Sequence, residues 1–317
     1  MERMPFIVEE PRSRSDFSAM EELQIEVWSR DTSLPLPMLW VAVETGGLAL
    51  VARRPAEDDV IGFCLAVAAF DGKDAWLWSH MAAVKEGWRS HGVGRALKYR
   101  QYHWARQRGF PLITWTFDPL MAKNAYFNLV YLKAMARTFF PNHYGPMDDP
   151  LNKGLPTDRF LCEWWIEEED PWQRGEAFPQ PLPPGPVFLE AVASSHPLLP
   201  RPRLHPDVEA SPEGGEALEG TWSSDGNIRR LQRPAPSWRR EEALLGLREG
   251  AAYIEIPWDF LALKDRDFDL AIAWRRASAA AFNYAFRRGW VAVHVERFPQ
   301  EGKARYLLVP GQKGDSS

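Results

Sequence analysis

Arg89-Ser90-His91-Gly92-Val93-Gly94-Arg95-Ala96 is the stretch whose reading decides the fold. It follows an apolar run, Ala75 to Val84, that reads as a strand, and it opens a helical run that continues to about Arg108. Two glycines between a strand and a helix let the backbone come close to a ligand, and the first helical turn offers N–H groups with no intrahelical acceptor. Such a place takes an anion, phosphate above all. Arg89 and Arg95 bring positive charge to the same spot. The competing reading is a glycine-rich turn that binds nothing.

Working outward, 317 residues are enough for two domains and a large core. Hydrophobic content of 45% and charged content of 26% are those of an ordinary globular chain. A net charge of −5 recommends no nucleic-acid partner. Two cysteines, Cys64 and Cys162, fall in two predicted strands, which points to core thiols in a reducing compartment. The first residues carry no apolar signal and no run reaches transmembrane length, so the expected location is cytoplasmic, with no membrane partner.

In chain order, Phe6-Ile7-Val8 begins a strand. A helix with Phe17, Met20, Leu23, Val27 and Trp28 on one face follows, capped by Ser18 in a capping box or by Ser15. Leu36 to Glu44 reads as a second helix. Leu48 to Arg53 and Val60 to Val67 read as a strand pair, and Ala75 to Val84 as a third strand. After the glycine turn and its helix, closed by Gly109, Pro111 to Asp118 is a strand. Met121 to Arg137 is expected as one helix, with Ala125, Leu129, Leu132 and Ala136 in a stripe, and Arg159 to Ile166 as the last strand of this half. From Pro171 to Pro236 stand 13 of the 27 prolines, which marks an irregular connection. Within it, Pro186 to Val192 is a candidate strand. Ala251 to Pro257, a helix from its cap Asp267 to Arg288, the alternating run at Val291, Val293 and Val295, and Tyr306 to Val309 form a second, smaller α/β region. The tail from Gly311 is expected to be disordered. The domains expected are 1–170, a connecting segment 171–240, and 241–317.

The pattern Arg-x-x-Gly-x-Gly, its place between the fourth strand and third helix, and Asn124 with Tyr131-Leu132-Lys133 resemble the GNAT superfamily of acyl-CoA-dependent N-acyltransferases. The likeness covers about Phe6 to Glu167. Trp115-Thr116-Phe117-Asp118-Pro119, Asn142-His143-Tyr144-Gly145 and Asp158-Arg159 resemble, more narrowly, a group of predicted GNAT acetyltransferases with a long C-terminal extension. The resemblance implies an α/β (α+β) GNAT fold with a mixed central sheet and acetyl-CoA as co-substrate. It also implies main-chain contacts to the pantetheine from Met81, Ala82, Ala83 and Val84. Phosphate contacts would come from Arg89, Ser90, His91, Gly92, Val93, Gly94, Arg95 and Ala96. The C-terminal region has no Gly-x-Gly turn; it is either a small packed domain or a degenerate GNAT half with no cofactor site of its own.

Acyl transfer to an amine needs a held thioester, a neutral amine and a stabilised leaving thiolate. His80, just ahead of the glycine turn, is the candidate base, against a structural strand histidine. Tyr131 and Tyr144 compete as donors to the departing sulfur, and Asn124 is a candidate pantetheine ligand or turn cap. Asp118 either recognises a cationic amine or caps the following helix. Trp78 and Trp115 are read as core, and His91 as solvated. No residues have metal-ligand spacing and no Gly-x-Ser-x-Gly occurs. The expected activity is acetyl transfer to a small-molecule amine, with a homodimer compatible with the sequence. The alternatives are a non-catalytic acyl-CoA-binding module and a tandem aminoacyl transferase using charged tRNA, which the acidic charge disfavours.

Overall fold

The computed structural model describes residues 5–167, 172, 178, 181–194, 199–212, 234 and 240–311. Most of the proline-rich connection and the tail after Gly311 lie outside the described residues. Contacts divide the chain into two compact units, residues 1–115 with 230–233 and residues 116–229 with 234–317. The sequence reading ends its first domain at 170; the compact units divide earlier, inside a strand.

In the first unit, β1 (Ile7–Glu9), β2 (Leu48–Arg54), β3 (Asp59–Phe70), β4 (Ala75–Val84) and β5 (Leu112–Phe117) lie side by side in that order. The first four are antiparallel and β5 is parallel to β4. Helices α1 (Arg14–Val27) and α2 (Leu36–Glu44) bury Phe17, Met20, Leu23, Leu39 and Ala42 with Val51, Phe63, Leu65 and Ala83 of the sheet. Neither Ser18 nor Ser15 caps α1. Its N-cap is Ser13, whose side chain makes no capping bond, and Asp16 accepts from the Arg12 backbone N–H at 2.6 Å instead. Asp16 is drawn there by Arg53, which bonds Asp16 at 2.5 Å, Glu9 at 2.9 Å and Asp58 at 2.7 Å, so one guanidinium ties β1, α1 and β2. Burial opposes ionisation of Asp16, but the Arg53 bonds outweigh it and hold its pKa below the usual value. Helix α3 (Val93–Gln107) packs on β3 at Gly62, where a Cβ would stand 3.0 Å from a Val93 methyl and from the Ala83 carbonyl.

In the second unit the sheet order is β7 (Arg159–Trp165), β6 (Met135–Phe140), β11 (Trp290–Phe298), β12 (Lys303–Pro310), β10 (Ala252–Pro257), β8 (Val187–Val192) and β9 (Arg201–Leu204). The expected long helix from Met121 to Arg137 is corrected. α4 covers only Ala122–Tyr126, a π-helical turn takes Phe127–Tyr131, and Lys133 leaves the helix at φ 56°. The chain then becomes β6, paired with β7 from Met135↔Glu163 to Phe140↔Arg159. Ala125, Leu129, Leu132 and Ala136 are all fully buried, so the stripe was real, but its last member is buried by a strand. β9 and the helix α5 (Phe260–Arg266) were also unforeseen. α6 (Phe268–Arg287) starts as expected, with Asp267 accepting from the Leu270 N–H at 2.9 Å.

One succession occurs twice along the chain. A parallel pair, β4 with β5, is followed by a helix and the antiparallel hairpin β6–β7; a parallel pair, β8 with β10, is followed by helices and the hairpin β11–β12.

The second unit closes on a buried ion pair. Arg275 of α6, fully buried, donates through both terminal nitrogens to Asp118, one bond measuring 2.6 Å. Asp118 also accepts from the Leu120 N–H at 2.9 Å. Asp118 therefore holds the turn after β5 rather than capping the following helix, whose N-cap is Met121, and its carboxylate already has a cationic partner. Arg275→Ala leaves that carboxylate buried without its cation and is expected to cost about 3–5 kcal/mol of stability, read from urea unfolding. Asp118→Asn combined with Arg275→Met should lose clearly less, because no lone charge remains.

Candidate functional site

The glycine turn is built by two left-handed residues. Ser90 has φ 65° and Gly92 φ 83°, ψ −1°, with Gly92 as N-cap of α3. A non-glycine residue in that region is uncommon and marks a constrained loop. Around the turn, the Arg89 Nε–H donates to the Val84 carbonyl at 3.3 Å and the His91 Nδ1 lies 2.9 Å from the Arg89 carbonyl. Arg89, Ser90, His91, Gly92 and Arg95 are exposed, while Val93 is buried and fixes the helix start. Among the described residues, a Cβ on Gly92 would meet nothing within 4 Å, so they leave the outer side of the turn open. Helix N–H groups, two arginines and an open approach fit a diphosphate.

β4 supplies the second feature. Its ladder with β5 runs through Leu77↔Ile113 and Trp78↔Thr114, and Ser79 to Val84 continue past it. Against β3, Leu65 pairs with Met81 and Ala66 with Ser79, so His80 is the extra residue of a β-bulge. Bulges re-aim side chains and release main-chain groups from a ladder. His80 is exposed, yet the protein around its ring desolvates it and holds its pKa below the ordinary 6.5. The imidazole is therefore neutral near pH 7. Met81 and Val84 are half-buried, Ala82 exposed and Ala83 buried.

Residues 14–127 match the family model described as the acetyltransferase (GNAT) family. This stretch is a GNAT domain. Among solved structures, the chain resembles the Escherichia coli ribosomal-protein-S18-alanine N-acetyltransferase at 13% identity, with 52% of this chain and 97% of that chain covered and a TM-score of 0.42. It resembles a putative acetyltransferase from Salmonella typhimurium, solved with its cofactor acetyl-CoA, at 16% identity, with 52% and 96% covered and a TM-score of 0.43. Ard1 from Thermoplasma volcanium matches at 15% identity, with 52% and 99% covered and a TM-score of 0.41. No curated protein matches the chain.

The GNAT match contains His80, the glycine turn and Asn124, and ends before Tyr131 and Tyr144. His80 and the turn lie in the first compact unit; Asn124, Tyr131 and Tyr144 lie in the second. Asn124 is exposed and lies 3.4 Å from the Asn128 amide nitrogen. Tyr131 is exposed at the end of the π-helical turn, edge-on to Tyr126, and its carbonyl accepts from Trp172 Nε1 at 3.1 Å. Tyr144 is exposed too, its hydroxyl 2.8 Å from the Thr116 hydroxyl. Trp115 is buried, as expected of a core residue, and His91 is exposed.

Sequence reasoning quoted Asn142, Asp158 and Arg159 only as part of a resemblance, and missed Thr157 and the contacts by which these groups hold the Tyr144 turn. Asn142 sits at φ 44° and its N–H donates to Asp158 Oδ1 at 2.9 Å. Thr157 Oγ1 accepts from the Tyr144 N–H at 2.9 Å, and Arg159 lies 5.3 Å from the Tyr144 ring centre. Asp158 is buried, and its Oδ2 has no hydrogen-bond partner among the described residues. Burial pushes its pKa up to about 6, with the Arg275 charge pulling the other way. Sequence reasoning also missed Lys98 and Gln101, polar residues on the buried face of α3; that break in an apolar stripe was the available signal. Among the described residues, no group of three or more histidines, cysteines or acids could hold a metal ion. No helix among them is long and apolar enough to cross a membrane.

Two outcomes follow from this geometry. Gly92→Ala should cost about 1–2 kcal/mol, since only the left-handed backbone resists the new Cβ. It should weaken CoA binding by calorimetry, and Gly92→Asn should do so less, as asparagine tolerates this region. For Asp158, the raised pKa means the fold favours the protonated acid. That contribution is present below about pH 4 and lost as pH rises through about 6. Denaturation at pH 4.5 and pH 8 should therefore show wild type losing roughly 1–3 kcal/mol relative to Asp158→Asn as pH rises.

Proposed function

We propose that the protein is an acetyl-CoA-dependent N-acetyltransferase acting on a small-molecule amine. The observation that carries the reading is the open glycine turn, with Gly92 left-handed at the head of α3, standing directly after a β4 segment that runs past its ladder with β5. Residues Arg89 to Ala96 hold the pyrophosphate with turn and helix N–H groups. The main chain of Met81 to Val84 lines up with the amide groups of the pantetheine, and Asn124 is a further pantetheine ligand.

In the reaction, the amine nitrogen attacks the thioester carbonyl carbon. The C–S bond breaks and the electron pair leaves on sulfur. His80, neutral because desolvation lowers its pKa, takes the amine proton directly or through water. Tyr131 or Tyr144 protonates or stabilises the thiolate; both phenols are exposed. The C-terminal half repeats the succession of parallel pair, helix and hairpin but lacks the glycine turn, which supports reading it as a degenerate GNAT half without its own CoA. Where β4 runs past its ladder with β5, β8 differs: the Ala191 N–H donates to buried Glu255 at 3.0 Å. Cys64 and Cys162 are buried thiols outside any disulfide, in keeping with a reducing compartment.

Release of free CoA from acetyl-CoA in the presence of an amine panel tests the activity. CoA binding without amine-dependent release would favour the non-catalytic module. In wild type, kcat/KM should rise with pH through a midpoint below 6.5, the ordinary imidazole value. His80→Ala should lose that limb and drop about 100-fold in rate. An unaltered pH profile would return His80 to a structural role.

A further inference from the structure

Lys98 is an ammonium on the buried face of α3, 6% exposed. Its Nζ donates to Ser79 Oγ at 2.7 Å and to Gln101 Oε1 at 3.0 Å, and it stands 4.2 Å from the centre of the Trp115 ring. Gln101 continues the chain of contacts, its Nε2–H donating to Cys64 Sγ at 3.2 Å. Burial pushes the Cys64 thiol up to about 11, with the Lys98 charge opposing, so Cys64 stays a neutral partner. Every residue of this cluster lies in the first compact unit.

The cluster surrounds the bulge. Ser79 is the residue immediately before His80, and Cys64 lies one position from Leu65, which faces the bulge across the ladder. A bulge is the place where a strand's register is least determined, because one residue has no ladder partner and a slip by one turns side chains to the other face. A hydrogen bond from a buried cation to Ser79 resists that slip. A buried ammonium is tolerated only where its donors are met, so the contact also constrains Lys98.

We propose that Lys98, through Ser79, is the positioning residue that fixes the β4 bulge and thereby sets the place and solvation of His80. It also ties the bulge to α3, the helix that begins at the glycine turn. Two parts of the site then move as one body: the residue that takes the proton and the helix end that holds the anion. The proposal rests on reading His80 as the base. It adds that the placement is enforced from beneath the sheet by a side chain that touches neither substrate.

The test is an NMR titration of the His80 ring in wild type, Ser79→Ala and Lys98→Met, beside steady-state kinetics. With the clamp removed, water gains the imidazole, and the His80 midpoint should rise toward its ordinary value. kcat should fall about tenfold while KM for acetyl-CoA changes less than about twofold, because the turn itself is intact. The double variant should be no worse than Lys98→Met alone, since both act on one contact. An unmoved His80 midpoint in folded Ser79→Ala overturns the proposal. That milder variant decides the matter if Lys98→Met does not fold. A wild type that binds CoA but releases none from acetyl-CoA counts against the functional reading instead, and the titration still decides the role of Lys98.

Discussion

Asp118 and Arg275 are 157 residues apart in sequence and share two hydrogen bonds in the interior of the second unit. Neither can be buried alone, because a lone interior charge costs several kcal/mol. The turn after β5 and the middle of α6 must therefore fold together. Around this pair stand Phe160, Phe282 and Tyr306, with ring centres 4.6–5.7 Å apart, and the Tyr306 hydroxyl donates to the Pro119 carbonyl at 2.7 Å. The same guanidinium faces Asp158, so the turn that carries Tyr144 is also under its influence. A helix near the end of the sequence thus conditions a turn that a shorter protein would have to stabilise by other means.

The first unit solves a similar problem differently. Arg53 gathers three carboxylates near the sheet edge, whereas Lys98 is satisfied by a hydroxyl, an amide and an aromatic face. Three carboxylates around Arg53 make a clamp in which acid outnumbers the cation. Lys98 lies beneath β4, the strand proposed to face an anionic co-substrate. Charge in a low-dielectric interior is felt farther than charge at the surface.

The turn and the start of α3 were legible in eight residues because glycine and helix start are local signals. α2 and β4 were legible to the residue, since their apolar runs are bounded by glycines or polar turns. The stretch from Met121 to Arg137 was not. Its spacing satisfies a helix throughout, and only pairing with β7, distant in sequence, converts Met135 onward into a strand. The bulge at His80 was invisible as well, because it exists in the register between two strands and leaves no mark on either alone. Asp118 looked available in sequence because its partner lies in another part of the chain. Residues that work through long-range pairing were hidden as a class, and those that work through the backbone of one turn were not.

β6 has β7 on one side and meets β11 on the other through Ala136↔Ala292. A strand whose Met135, Ala136, Phe139 and Phe140 are buried would be a sticky edge if its second side were bare, and bare edges recruit other chains. Here the covering strand belongs to the same polypeptide. Dilution cannot remove it, and no second molecule has to be found before the sheet is complete. The cohesion of this region is thus a property of each chain by itself, independent of how many copies a cell contains.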